Sequence, residues 1–445
     1  MSARDDLVHE IDRRLGNRQL YWFGIRGDDA RSLSAIPQFS GAFSIINQYS
    51  YSQLPYAVAY EDITGVRVDL DSWDIDQHLL DEPTREFRHV LMAAMASDNA
   101  LVTYRPSQFL SALAFARDDR CQYLGLYADH QHVFEHKPWV ETAVKHLPDP
   151  IPTLNWHYIA DEEQFEAVDI LREGSIVVRS SRGSGGSGMA RVDHVDSLEG
   201  LWPHDDEFFA SVSKYLSGYL PLNIGAVVWD DGVTVHQPSV QLIGIPEATR
   251  RQFGYCGNDF ELAASLDDAI INEVERQTVQ VGNWMRSQGF RGAFGLDLLI
   301  KGDTVLFTEV NPRFQGSSRL SARLDALCDQ PCLFLEHVAA MLHVASPAPQ
   351  RLRDVVAATP PAAQLVLHNL ARSEVTINSR LVQESIEVVD PSMQVEIQPG
   401  RSITVDPDGV LAVFRLSHGI TATGYDITQD LTHSLTHISS MTNGA

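Results

Sequence analysis

The chain has 445 residues, 44% of them hydrophobic and 21% charged, the balance of ordinary globular domains and length enough for about two to four of them. Its 59 acidic and 34 basic residues give a net charge of −25. That surface repels nucleic acid and anionic membrane, which excludes both as general partners but leaves room for a local basic pocket.

The first residues, MSARDDLVHEIDRRLG, lack an apolar core of signal-peptide length. No run approaches the roughly 20 apolar residues of a membrane span. The four cysteines (Cys121, Cys256, Cys328 and Cys332) make no CxxC pair, so a soluble cytoplasmic protein is expected. Cys328 and Cys332 would share a helix face at i, i+4, where two small core residues are a simpler reading than metal ligands.

Residues 1–128 mix strand pieces at Ala42–Ile46 and Ala57–Tyr60 with helices at Arg85–Ala96 and Pro106–Ala116. That alternation predicts an open α/β sheet. A second domain follows over 129–346, with a small lid of about 145–215. It opens on a Lys-containing element, Glu135–His146, and the Pro-rich link LPDPIPTL. Ile176–Arg179 and Met189–Val192 read as strands around a Ser/Gly loop. Asp205–Leu216 reads as helical at first, then extended. Asn223–Trp229 and Val233–Leu242 are strands joined by a turn at Asp230–Gly232. Leu266–Ser287 and Ser321–Val344 have helical spacing. Pro347–Pro361 marks a boundary to a β-rich third domain, 347–445, whose short strands are punctuated by Pro-Gly, Pro-Asp-Gly and His-Gly turns. The class is α+β.

Two motifs carry chemistry. In IVVRSSRGSGGSGMARV, residues 176–192, a strand runs into Gly183, Gly185, Gly186 and Gly188 and returns as a strand. Glycines let backbone N–H groups approach a polyphosphate with no Cβ in the way. Ser181, Ser184 and Ser187 add hydroxyls, and Arg179 stands at the strand end. The loop re-enters a strand rather than a helix, so it is not a P-loop.

The second motif is FGLDLLIKGDTVLFTEVNPRFQGSS, residues 294–318. Glu309, Asn311 and Arg313 alternate and would share one face of a strand. Asp297 joins them from the partner strand only if paired positions sum to an even number. The expected register has a turn centred on Gly302 with Asp297 near Phe307. A two-residue Gly302–Asp303 turn would instead set Asp297 against Thr308. Both strands are otherwise apolar, and carboxylates embedded there need a counter-charge. Mg²⁺ (or Mn²⁺) with a nucleotide's phosphates suits two carboxylates and an amide oxygen.

The order of these parts resembles the ATP-grasp superfamily over roughly residues 130–345: Lys137 in EHKPWVE, the loop IVVRSSRGSGGSG, and GLDLLI with FTEVNPRFQGSS. The resemblance implies an ATP-grasp fold with an N-terminal pre-ATP-grasp domain. It implies that Lys137 and Arg179 hold the α/β-phosphates under a closing loop of Ser184, Gly185, Gly186, Ser187 and Gly188. Adenine would meet Lys214, Tyr215 and Leu216 in SKYLSGYLPLNIGAVVWDDG, with Asn223 near the ribose or γ-phosphate. Asp297, Glu309 and Asn311 would bind Mg²⁺, and Arg313 the acyl-phosphate or carboxylate. One departure stands out: Arg179 occupies the position most members fill with Lys, and a planar fork is not a point charge.

Family members generally use ATP to turn a carboxylate into an acyl-phosphate that an amine then attacks, releasing ADP and phosphate. The resemblance therefore implies a carboxylate–amine ligase acting on an amino acid or small peptide, with homodimerisation a family-level expectation. Two other readings stand beside it. A biotin-carboxylase-type carboxylase would share NPRFQ, but PSVQLIG replaces that group's basic cluster, and no biotinyl-lysine segment is present. A non-catalytic nucleotide-binding module is supported by Arg179 alone. Tyr21, Trp22, Arg26 and Tyr51 are candidate pocket residues, with core packing the simpler role for the aromatics.

Overall fold

Strands β1 (Leu20–Arg26), β2 (Phe39–Ile46), β3 (Ala57–Ala59), β4 (Asn99–Thr103) and β5 (Cys121–Leu124) are mostly apolar because they are covered on both faces. They form a parallel sheet in the order β3-β2-β1-β4-β5. The helix Ala3–Leu15 buries Leu7, Ile11 and Leu15, spaced by one turn, and Ser2 and Asp5 close its N-terminus as a capping box. On the helix Glu82–Met95, Phe87, Leu91 and Met95 are buried in the same way. The structure, a computed structural model, describes residues 2–46, 54–66, 68, 74–105, 107–110, 121–126, 133–160, 163–183, 185–186, 188–198, 209–378, 393–396 and 402–442. Most of the helix expected at 106–116 lies outside these residues; within it, Gln108–Leu110 is a 3₁₀ turn.

A second, antiparallel sheet holds β6 (His157–Ala160), β7 (Ile176–Arg179), β8 (Met189–Val192) and β9 (Phe209–Lys214) in the order β6-β9-β7-β8. The expected helical start at 205–208 lies outside the described residues. Within the rest of that segment, Phe209–Lys214 is strand.

The third sheet is the largest. Its strands β10 (Leu220–Val228), β11 (Val233–Ile243), β12 (Tyr255–Asp259), β13 (Gly292–Lys301) and β14 (Thr304–Asn311) continue into β15 (Ala363–His368). After β16 (Val375–Asn378) come β17 (Gln394–Glu396), β18 (Ser402–Val405) and β19 (Val410–Leu416). The order is β14-β13-β10-β11-β12-β15-β19-β17, while β16 and β18 pair separately. The Pro-rich stretch at 347–361 therefore does not interrupt the sheet, since β15 pairs directly with β12. The helix Asp268–Ser287 covers one face, burying Ile270, Ile271, Val274, Val281 and Met285.

The single helix expected over Ser321–Val344 is two, Ser318–Leu327 and Leu333–Met341. Asp329 takes φ +54°. Pro331 follows, which lacks an N–H and disfavours helix at the residue before it. Cys328 ends the first helix and Cys332 caps the second, so they do not share a helix face. Among the described residues no helix is long and apolar enough to cross a membrane.

Candidate active site

Strands β13 and β14 close on the two-residue turn Gly302–Asp303, with Lys301 opposite Thr304. Gly302 takes φ +55°, which glycine adopts without a Cβ penalty. This corrects the expected register: Leu298, not Asp297, pairs with Phe307. Continued unchanged, that pairing would set Thr308 against Asp297 and turn Glu309 away. A β-bulge at Thr308 intervenes, after which Asp297 pairs with Glu309, Leu296 with Val310 and Gly295 with Asn311. The Thr308 hydroxyl donates to the Asp297 carbonyl at 2.8 Å. Asp297 and Glu309 thus share a face by a route the sequence pattern did not indicate.

The polar row extends inward. Asn223 on β10 lies between Asp297 and Ser239 of β11, and Asn258 of β12 pairs with Gln364 of β15. Asn258 Nδ2 donates to the Ser239 hydroxyl at 2.9 Å and to Asn223 Oδ1 at 3.2 Å. The loop after β14 rests on this row. Asn223 donates to the Ser317 hydroxyl at 2.9 Å, and Gln364 to the Gly316 carbonyl at 2.8 Å. Gln315 reaches back to donate to Asp297 Oδ1 at 3.1 Å, as does Gln241. Gly295 makes this approach possible, since a Cβ there would stand 2.0 Å from the Gln315 amide carbon. Asn223 is buried and held within the floor of the site, beneath the loop.

Three cations surround the carboxylates. Lys137 begins the helix Lys137–Lys145, and its Nζ lies 3.3 Å from Glu309 Oε2 and 2.9 Å from the Gly183 carbonyl. It therefore joins the glycine loop to the hairpin. Arg313 donates to Asn311 Oδ1 at 3.2 Å and lies 3.8 Å from Glu135. Arg179 is only 2% exposed. Its Nη2 pairs with the fully buried Glu141, and its guanidinium carbon sits 3.9 Å from the Trp156 ring centroid.

Burial and the neighbouring Glu309 push Asp297 well above the usual carboxylate range. For Glu309, burial also acts upward, but Lys137, the bond to Asp297, Arg179 and Arg313 outweigh it and hold the group low. Asn311 Nδ2 donates to Asp297 Oδ2 at 3.1 Å while its Oδ1 accepts from Arg313, so the amide stands beside the pair. Among the described residues no group of three His, Cys, Asp or Glu is arranged to hold a metal. Two carboxylates and one amide suit a cation that takes its other ligands from phosphate and water.

In the glycine loop, Gly185, Gly186 and Gly188 take φ +60°, +84° and +72°. A Cβ on Gly186 would stand 2.0 Å from the Phe253 carbonyl oxygen. Ser184 and Ser187 lie outside the described residues. Lys214 is exposed and pairs with Glu173. Tyr215 and Leu216 border an apolar cluster of Val177, Met189, Leu299 and Leu306 between the second and third sheets. A cavity of about 540 Å³ opens beside it, with Leu154, Lys214, Leu216 and Tyr219 on its wall. Tyr51 is not described, and Trp22 is fully buried.

Gln241, Gln315, Glu141 and Trp156 were not singled out from sequence. Gln315 continues the every-second-residue pattern of Glu309, Asn311 and Arg313, and Glu141 lies one helical turn beyond Lys137, so both carried a signal. Gln241 and Trp156 reach the site only through folding.

Residues 141–317 match the family model of the ATP-grasp domain. The formate-dependent phosphoribosylglycinamide formyltransferase of Geobacter metallireducens is 24% identical over 264 residues, covering 57% of this chain and 62% of that protein. The chain thus spans less than two thirds of the length of the curated relatives it matches. Among solved structures, the biotin carboxylase of Campylobacter jejuni, as its β,γ-ATP complex, superposes with TM-score 0.62 at 11% identity, covering 96% of this chain and 95% of that one. Glycinamide-RNase-transformylase T of Mycobacterium tuberculosis gives 0.55 at 15%, covering 94% and 99%. At these identities the likeness is one of fold.

Proposed function

We propose that this chain, which carries an ATP-grasp domain at residues 141–317 within an ATP-grasp fold, is an ATP-dependent ligase that joins a carboxylate to an amine. The observation that carries this reading is the face shared by Asp297, Glu309 and Asn311, with Lys137 on Glu309 and Arg313 alongside.

ATP would lie between the second and third sheets. Val177, Met189, Leu216 and Leu299 offer apolar walls for a purine, next to backbone at 214–216. Lys137 and the N–H groups of the glycine loop would meet the phosphates. Asp297, Glu309 and the Asn311 carbonyl oxygen would hold Mg²⁺, which when bound supplies charge neutralisation to the phosphates. Phosphoryl transfer needs positioning and electrostatic support more than covalent help from the protein.

In the first step a substrate carboxylate oxygen bonds to the γ-phosphorus as the bond to ADP breaks. Arg313 would stand at the reacting end, where its fork would hold the acyl-phosphate. In the second step an amine attacks the acyl carbon, phosphate leaves, and the amine gives up a proton. The glycine loop, packed against Phe253, would keep water from the intermediate.

An amino acid or small peptide is the substrate class proposed. A second reading takes formate as the carboxylate, favoured by the relative from Geobacter metallireducens. A biotin-carboxylase-type reaction is less well supported, because uncharged Gln241 occupies the position facing Asp297. Hydroxylamine trapping separates the readings: an acyl-phosphate yields a hydroxamate whose acyl group identifies the substrate. Carboxylate-dependent ADP release with a hydroxamate product is expected. ADP formation that no carboxylate stimulates, formate included, would defeat the ligase reading.

A further inference from the structure

Arg179 carries a cation that the site does not openly present. Its Nη2 is paired with Glu141, a Trp156 ring covers its plane, and Nη1 makes a long contact of 3.5 Å to the Thr308 carbonyl. A guanidinium has five N–H donors, and the Nε of Arg179 is buried with no hydrogen-bond partner. Glu141 lies one turn beyond Lys137 on the same helix. That helix therefore presents a cation to the glycine loop and an anion to Arg179. The other oxygen of Glu141 accepts from the Tyr158 hydroxyl at 3.0 Å, so Glu141 keeps one partner if the guanidinium turns away.

We propose that Glu141 is an internal counter-ion that competes with nucleotide phosphate for Arg179, holding the guanidinium until phosphate draws it off. This rests on the nucleotide-binding reading above. It also accounts for an arginine at this position: a planar fork pairs with a carboxylate or a phosphate in the same bidentate geometry and so can pass from one to the other, which a lysine ammonium cannot do with fixed geometry. Glu141 is then a positioning residue, acting on nucleotide through Arg179.

The test is ADP binding, measured by titration calorimetry on the full chain without divalent metal. Glu141→Gln removes the competing charge and keeps the shape, so ADP should bind about fivefold more tightly, the worth of one hydrogen bond. Tyr158→Phe leaves Glu141 dependent on Arg179 alone, so ADP should bind more weakly by a similar factor. Tyr158 is partly exposed, so this variant keeps the proposal testable if Glu141→Gln fails to fold. Opposite shifts are the signature of competition. A purely structural role for Glu141 would weaken binding in both variants, and that result, or no change in either, overturns the proposal. If the wild-type chain binds no ADP, the nucleotide reading itself falls.

Discussion

Gly295→Ala tests whether the Gln315 loop sets the carboxylate geometry. The new methyl would stand 2.0 Å from the Gln315 amide carbon and 2.1 Å from its Oε1. The backbone there is ordinary strand, so the strain falls on Gln315 rather than on Gly295. Overpacking of this kind costs about 1–3 kcal/mol. Displacing Gln315 also removes a hydrogen bond to Asp297 Oδ1, and bonds to charged groups contribute about 1.5–3 kcal/mol. If the reaction needs Asp297 held in place, that loss slows turnover by about 10- to 100-fold. The assay is ADP release under saturating ATP, with circular dichroism to confirm folding. Gln315→Ala should be impaired similarly. The double variant should be no worse than Gln315→Ala alone, because the clash then has no partner. A folded Gly295→Ala protein with wild-type turnover, or a double variant whose losses add, would refute the reasoning.

His236 predicts a pH dependence of stability. It is buried with Nδ1 3.2 Å from Asp325 and Nε2 3.4 Å from Glu336. Burial alone would push it down, but the Glu336 and Asp325 carboxylates outweigh that and raise it to about 10. A raised histidine stabilises fully below its unfolded value near 6.5 and loses that contribution as pH rises through about 10. The denaturation midpoint should therefore fall across this window by a few kcal/mol in free energy, and His236→Gln should be less stable and lack the slope. Separately, Gly186→Ala cannot keep φ +84° against the Phe253 carbonyl. A residue with a Cβ costs about 1–2 kcal/mol there, so KM for ATP should rise about 5- to 30-fold with little change in melting temperature.

Much of the site was legible because it repeats every second residue. Glu309 and Asn311 needed only a strand to share a face, whereas Arg313 and Gln315 lie past the end of that strand and are placed by the loop instead; the glycines of 183–188 announced a loop of unusual backbone. The parallel N-terminal sheet was legible in part, from apolar runs such as Ala42–Ile46. The register was not. Nothing in TVLFTEV marks Thr308 as the bulged residue, because a bulge here costs no glycine and leaves the apolar pattern of Val305 and Phe307 intact. The break at Asp329 was hidden by apolar spacing that runs on from one helix to the next, although Pro331 was its signal. The buried partners of Arg179 come from three segments, and only the fold brings them together. The join of β15 to β12 was likewise invisible from the Pro-rich stretch before it.

The central claim is that Asp297 and Glu309 form a metal–nucleotide site. Glu309→Gln tests it most directly, with ADP binding measured with and without Mg²⁺ in the wild type and the variant. Gln can still accept from Lys137, so the variant should fold. The account predicts that Mg²⁺ strengthens ADP binding in the wild type, and that this gain disappears in Glu309→Gln together with turnover. A variant that binds ADP as strongly as wild type with Mg²⁺, and turns over at the wild-type rate, would contradict it.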